Sequence, residues 1–136
     1  MENKAVLLNK YESIERCINR INEEYEGDVN NLNNFSKSDA IVLNLQRACE
    51  LVIDIAMYIV STQKLGIPQT KKECFEILFK NNYINDETLE KMKGMIGFRN
   101  IAVHDYKDID EETLQDIIEN HLNDLVDFAR EMLNKD

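Results

Sequence analysis

The sequence predicts an all-α fold, an antiparallel bundle of about five helices, and three observations carry that prediction. In 136 residues there are four glycines and one proline, too few for the tight turns of a β-sandwich or small barrel. Apolar residues recur at alternating steps of four and three, the period of one helix face. Hydrophobic residues make up 43%, enough to build a core and too many for a disordered chain. At this length the chain reads as one domain spanning residues 1–136.

The first helix follows from Leu7, Tyr11, Ile14, Ile18, Ile21 and Tyr25, which share one face. Gly27 and the polar run Asp28 to Asn34 end it. Ser38 or Asp39 is the expected cap of the second helix. From Ala40 to Ser61 that helix is apolar on most of its circumference, as a central helix touched by several neighbours must be. Asn44, Arg47, Glu50 and Asp54 draw one polar stripe down it. The stripe reads two ways: as an Arg47–Glu50 ladder facing water, or as polar support beside a cleft or partner, in which Arg47 and Asp54 would take part.

Gly66-Ile-Pro68 is a break, because proline disfavours helix in the residue before it. Thr70 with Glu73 reads as a capping box opening a short helix through Phe75, Ile77, Leu78 and Phe79. Asn85 or Asp86 caps a fourth helix carrying Leu89, Met92, Met95 and Ile96. Gly94 and Gly97 weaken its continuation, at about 1 kcal/mol each relative to alanine, and suggest close backbone approach. The last helix begins near Asp108 or Asp110 and runs through Leu114, Ile118, His121, Leu125, Phe128 and Met132.

The net charge of −10 argues against loose binding to nucleic acid, which depends on many cations meeting phosphates. The charge is uneven. Lys91, Lys93, Arg99 and Lys107 face Asp105 alone in one segment, whereas everything from Asp108 onward is strongly acidic. A small basic site therefore remains compatible with a nucleic-acid substrate. Cys17, Cys49 and Cys74 contain no C-x-x-C pair and no histidine at ligand spacing, so neither a disulfide framework nor a metal site is expected. With no secretory pattern at the N-terminus, and with Asp54 interrupting an apolar stretch too short to span a bilayer, the expected location is the cytoplasm, away from any membrane.

Of two histidines, His121 falls in the apolar stripe of the last helix and reads as a packed or boundary residue. His104 belongs to Met95-Ile-Gly-Phe-Arg-Asn-Ile-Ala-Val-His-Asp-Tyr106, where a guanidinium, an amide, an imidazole and a phenol crowd together. Arg99 and His104, five positions apart, point about 140° away from each other on an unbroken helix. Either the helix unwinds after Arg99, or each residue meets its working partner from a second copy of the chain. Imidazole moves protons near neutral pH and arginine grips phosphate bidentately. Such a set suits RNA cleavage without metal or cofactor, since RNA brings its own 2′-hydroxyl nucleophile. The bland alternatives are Arg99 in a structural link to an acid such as Asp54, and Tyr106 as a boundary aromatic.

The string Arg99-Asn-x-x-x-His104-x-Tyr106 resembles the motif of HepT-like toxins, a branch of the HEPN superfamily. The likeness extends to the Gln46–Ala56 helix, Gly66-Ile-Pro68 and the Glu73-Cys-Phe75 helix, in family order across nearly the whole chain. It implies a HEPN-like homodimer that acts as an endoribonuclease toxin, with RNA as substrate, and whose partner is an MntA-like minimal nucleotidyltransferase antitoxin. By the same resemblance Arg99 and His104 are catalytic, Asn100 positions substrate, and Tyr106 is where the antitoxin attaches AMP. The rival readings are a non-catalytic HEPN module that binds a nucleotide or docks the nucleotidyltransferase, and a purely structural adaptor.

Overall fold

The computed structural model describes residues 2–105 and 109–135, with the backbone alone for residues 2, 3 and 103–105. Its helices are α1 (Glu2–Tyr25), α2 (Phe35–Thr62), α3 (Lys71–Lys80), α4 (Asp86–Asp105), α5 (Glu111–Asn120) and α6 (Leu122–Asn134), with a 3-10 turn at Val29–Asn33 between the first two. No strand occurs among the described residues. The bundle is built around α2, which packs most extensively on α1 and also on α3, α4 and α6, while α1 lies against α6 as well. This accounts for the apolar girth of α2: Ile41, Leu45, Ala48, Val52, Ile55, Ala56 and Ile59 are all buried.

The register read for α1 holds: Leu7, Ile14, Ile18, Ile21 and Tyr25 are buried and Tyr11 packs against them. At the centre, the rings of Phe75 from α3 and Phe128 from α6 tilt together at 5.5 Å between centroids. No charged or polar side chain is buried in this core among the described residues. Every charge must therefore find its partner at the surface or in a groove.

Local chemistry sets the ends of the elements. The carboxylate of Asp28 caps the 3-10 turn by accepting from the Asn30 amide at 2.9 Å. Helix α2 starts earlier than Ser38 or Asp39, because Asn34 caps it by accepting from the Lys37 amide at 3.1 Å. The last polar residue of a run that reads as loop is thus the first device of the helix. After α2, Lys64 takes a positive φ of 54° and Gly66 one of 156°. A Cβ at Gly66 would stand 3.3 Å from Ile77 on α3, so glycine serves both the backbone and the close packing there.

Thr70 caps α3 as expected, accepting from the Glu73 amide at 3.0 Å, but the Glu73 carboxylate returns to the amide of Gln69 rather than to that of Thr70. Asn85 accepts from the Thr88 amide at 2.8 Å and opens α4. Helix α4 runs unbroken past both of its glycines. Contrary to the expected close approach, a Cβ at Gly94 or Gly97 would meet nothing within 4 Å. What expectation drew as one final helix is two, α5 and α6, divided at His121, whose φ of −125° and ψ of −4° break the α-helical path.

Candidate active site

Helix α4 presents Arg99 toward α2, and the site is assembled from that crossing. The Arg99 side chain is 18% exposed, and its Nη2 donates to Oε1 of Glu50 on α2 at 3.3 Å. Nη1 donates to Oδ1 of the neighbouring Asn100 at 3.4 Å. Nε is buried and has no hydrogen-bond partner among the described residues. The same Glu50 oxygen is also 3.5 Å from Nε2 of Gln46. Arg99 is thus held by long contacts that leave part of its donor capacity unspent among the described residues. An unsatisfied buried donor is costly, and such cost is often retained where a ligand supplies the missing acceptor.

This geometry corrects two expectations. Arg99 pairs with Glu50, not Asp54; the carboxylate of Asp54 instead faces Nζ of Lys10 on α1 at 3.9 Å. Nor does Glu50 form a ladder with Arg47, because Arg99 and Gln46 claim it. Arg47 is exposed and makes no ion pair among the described residues. Asn44 turns back to donate to the Ala40 carbonyl at 2.8 Å.

Of the two routes by which Arg99 and His104 could meet, unwinding is excluded, since α4 continues through both positions to Asp105. The side chain of His104 and the whole of Tyr106 lie outside the described residues. Beyond Arg99, Ile101 is 50% exposed and Ala102 is buried. Ala102 lines a shallow hollow of about 300 Å³ with Asp39, Val42, Leu43 and Gln46 of α2. Leu43 is 45% and Phe35 85% exposed nearby in sequence, so this stretch of α2 and the end of α4 offer apolar surface to solvent.

The cysteines are free thiols. Burial pushes Cys49 up to about 12 and Cys74 to about 11, so neither is a thiolate near neutral pH. His121 sits half-buried at the α5–α6 joint. Its Nδ1 is 3.0 Å from Asp124 and its Nε2 3.3 Å from Asp116, a structural clamp remote in sequence from Arg99. The basic segment seen in the sequence is largely neutralised: Lys91 pairs with Glu87 at 3.0 Å and Asp124 at 3.6 Å, and Lys93 with Glu76 at 3.7 Å. Arg16 on α1 and Arg47 on α2 meet no carboxylate among the described residues. The sequence signal that could have found the α1 member is Arg16 with Arg20, one turn apart beside the buried stripe. No described helix is long and apolar enough to cross a membrane.

Comparison with known proteins agrees with this architecture. Residues 11–132 match the ribonuclease HepT-like family. The mRNA nuclease HepT of Shewanella oneidensis is 40% identical over 123 residues, covering 90% of this chain and 92% of that protein. A toxin–antitoxin complex with AMP-PNP superposes with a TM-score of 0.87 at 39% identity, over 93% of this chain and 96% of the matched chain. The tri-AMPylated Shewanella oneidensis HEPN toxin in complex with its MNT antitoxin gives 0.86 at 40% identity, over 93% and 95%.

Proposed function

The chain belongs to the ribonuclease HepT-like family, and from that premise we propose that it is the endoribonuclease toxin of a toxin–antitoxin pair, acting as one HepT-like unit over residues 1–136. The observation that carries the reading is Arg99: a guanidinium at the mouth of the α2–α4 crossing, tethered by Glu50 and Asn100, with its Nε unsatisfied among the described residues. A phosphodiester supplies the acceptors this group lacks. The 2′-hydroxyl of the substrate attacks the adjacent phosphorus, the bond to the 5′-oxygen breaks, and a 2′,3′-cyclic phosphate forms. His104 takes or gives the proton, Arg99 holds the charge that grows on the phosphoryl oxygens, and Asn100 positions the group. No metal is required, since the nucleophile belongs to the RNA.

One imidazole does not easily serve as base and acid in the same step, and Arg99 and His104 diverge by about 140° on a continuous helix. A homodimer answers both points by setting two copies of each group across an isologous contact. The apolar surface around Leu43, Ala102 and Ile101 supports placing that contact beside Arg99.

By the same reading the partner is an MntA-like nucleotidyltransferase that transfers AMP from ATP to the Tyr106 hydroxyl, releasing pyrophosphate. The added phosphate and base oppose substrate phosphate by charge and bulk. Incubation of the purified protein with total RNA in EDTA, beside His104→Ala, tests the nuclease; cleavage is expected in the first and lost in the second. Absence of His104-dependent cutting overturns the reading. Intact mass after mixing with the antitoxin and ATP tests the modification, with increments of AMP expected and abolished by Tyr106→Phe.

A further inference from the structure

Beside the Arg99 crossing, a groove of about 610 Å³ lies between α1 and α2. That volume falls within the range of about 300–1,000 Å³ in which small ligands are bound. Three of its lining residues are arginines, Arg16 and Arg20 from α1 and Arg47 from α2, in a protein whose net charge is −10. Its carboxylates are Glu50 and Asp54, and neither neutralises those arginines: Glu50 binds Arg99 and Asp54 faces Lys10. Arg20 is occupied by Glu24 at 2.8 Å and Glu23 at 3.3 Å. Arg16 donates to the neutral hydroxyl of Ser13 at 2.8 Å and so keeps its full charge. Arg47 makes no ion pair among the described residues. Both charges are felt at Cys17 on the groove wall, where they work against the rise that burial imposes on the thiol.

The groove and the candidate active site share a wall. Glu50 lines the groove and, at 3.3 Å, holds the guanidinium of Arg99. Phosphates flanking a linkage held at Arg99 therefore have, on the far side of Glu50, a groove that carries three arginines. The groove sets three arginines against two carboxylates, and a concave surface with an excess of one sign of charge recruits the opposite charge.

We propose that the α1–α2 groove carries the backbone of the single-stranded RNA flanking the scissile linkage, with Arg16 and Arg47 as its phosphate contacts. This rests on the nuclease reading of Arg99 and adds a substrate track to it. Arg20, already paired, contributes less. Phosphate contacts of this kind set affinity and register and carry no sequence information by themselves.

The test compares wild type with Arg16→Gln, Arg47→Gln and the double variant in three measurements. On an RNA of about twenty nucleotides, the double variant is expected to raise KM with kcat preserved. On a dinucleotide, too short to reach the groove, all four proteins are expected to cleave alike. Binding of an all-2′-deoxy single strand, which cannot be cut, is read against salt, and the slope of log affinity on log salt is expected to fall by about 0.7 for each arginine removed. Arg47→Lys keeps the charge and should keep the slope, which separates a lost contact from a damaged fold. Arg130→Gln, on α6, should leave it unchanged. Unaltered KM and slope in the double variant overturn the track while leaving the nuclease intact. Should wild type bind without cutting, the deoxy-strand slope alone decides the groove and the nuclease reading falls separately.

Discussion

The groove between α1 and α2, with its three arginines, and the exposed face of α5, with its acids, each gather charge, yet they spend that charge differently. On α5 the carboxylates of Asp116 and Glu119, with that of Asp110 at its cap, are committed to the fold. Asp110 caps the helix, accepting from the Thr113 amide at 2.7 Å and from its hydroxyl at 3.0 Å. Asp116 accepts from Asn120 at 2.7 Å and faces His121. Glu119 takes the phenolic proton of Tyr25, tying α5 to α1, and a bond from Gln115. In the groove, Arg16 and Arg47 meet no carboxylate among the described residues. Charge engaged locally holds a structure; charge left unengaged is available to something that arrives. The acidic total of the chain thus says little about where it binds.

The contrast can be broken most forcefully at Arg99. Arg99→Ala is expected to reduce RNA cleavage by about 10²–10³-fold, the usual effect of deleting one donor to a charged transition state. Denaturant unfolding should show little accompanying loss of stability, because a buried donor unsatisfied among the described residues leaves with the side chain. A large stability loss with proportionate activity would return Arg99 to a structural role.

Tyr25→Phe should do the reverse, costing about 1 kcal/mol in urea unfolding while cleavage is unchanged. Its ring is buried while its hydroxyl reaches Glu119, and burial together with that carboxylate raises Tyr25 from 10.0 to about 12. A group whose folded value is raised stabilises fully below its unfolded value, and the stabilisation is lost as pH climbs through the folded one. Stability should accordingly decline between pH 10 and about 12 in wild type, and the Phe variant should flatten that decline.

Asp110 gives the acid counterpart. The Thr113 amide and hydroxyl lower its carboxyl below 3.8. Its contribution is present above that ordinary value and disappears as pH falls through the depressed one. Asp110→Ala should shallow the acid limb of an unfolding profile. The smallest effect expected is that of Arg47→Gln on stability, within about 0.5 kcal/mol by thermal or urea unfolding, as for surface positions without structural partners.

Much of the fold was legible because periodicity reports burial directly: Leu7 through Tyr25 and the girth of α2 could be read from spacing alone. Ends were harder. Asn34 looked like loop because it closes a run of asparagines, and whether such a residue caps or merely turns depends on the backbone that follows. The break at His121 was invisible because Ile118, Leu122 and Leu125 are buried on both sides of it, so the apolar pattern continues across the joint. The block containing Arg99 pointed to the candidate site, whereas its partner Glu50 carried no such signal. Asp54 and Glu50 lie on one stripe a turn apart, and choosing between them requires the height at which α4 crosses α2. That is a tertiary quantity which no local pattern contains. The α1–α2 groove was missed for the same reason, since Arg16 and Arg47 become neighbours of one cavity through packing alone.

Helix α2 is 28 residues long, about 42 Å at 1.5 Å per residue, and it carries both Arg47 and Glu50 on one turn. Inserting a single residue between them would rotate everything beyond by about 100°, severing the groove from the guanidinium beside it while leaving composition nearly untouched. This rod should therefore accept exchange at many positions but admit almost no change in length, and a survey of insertions and deletions across relatives would find its middle silent.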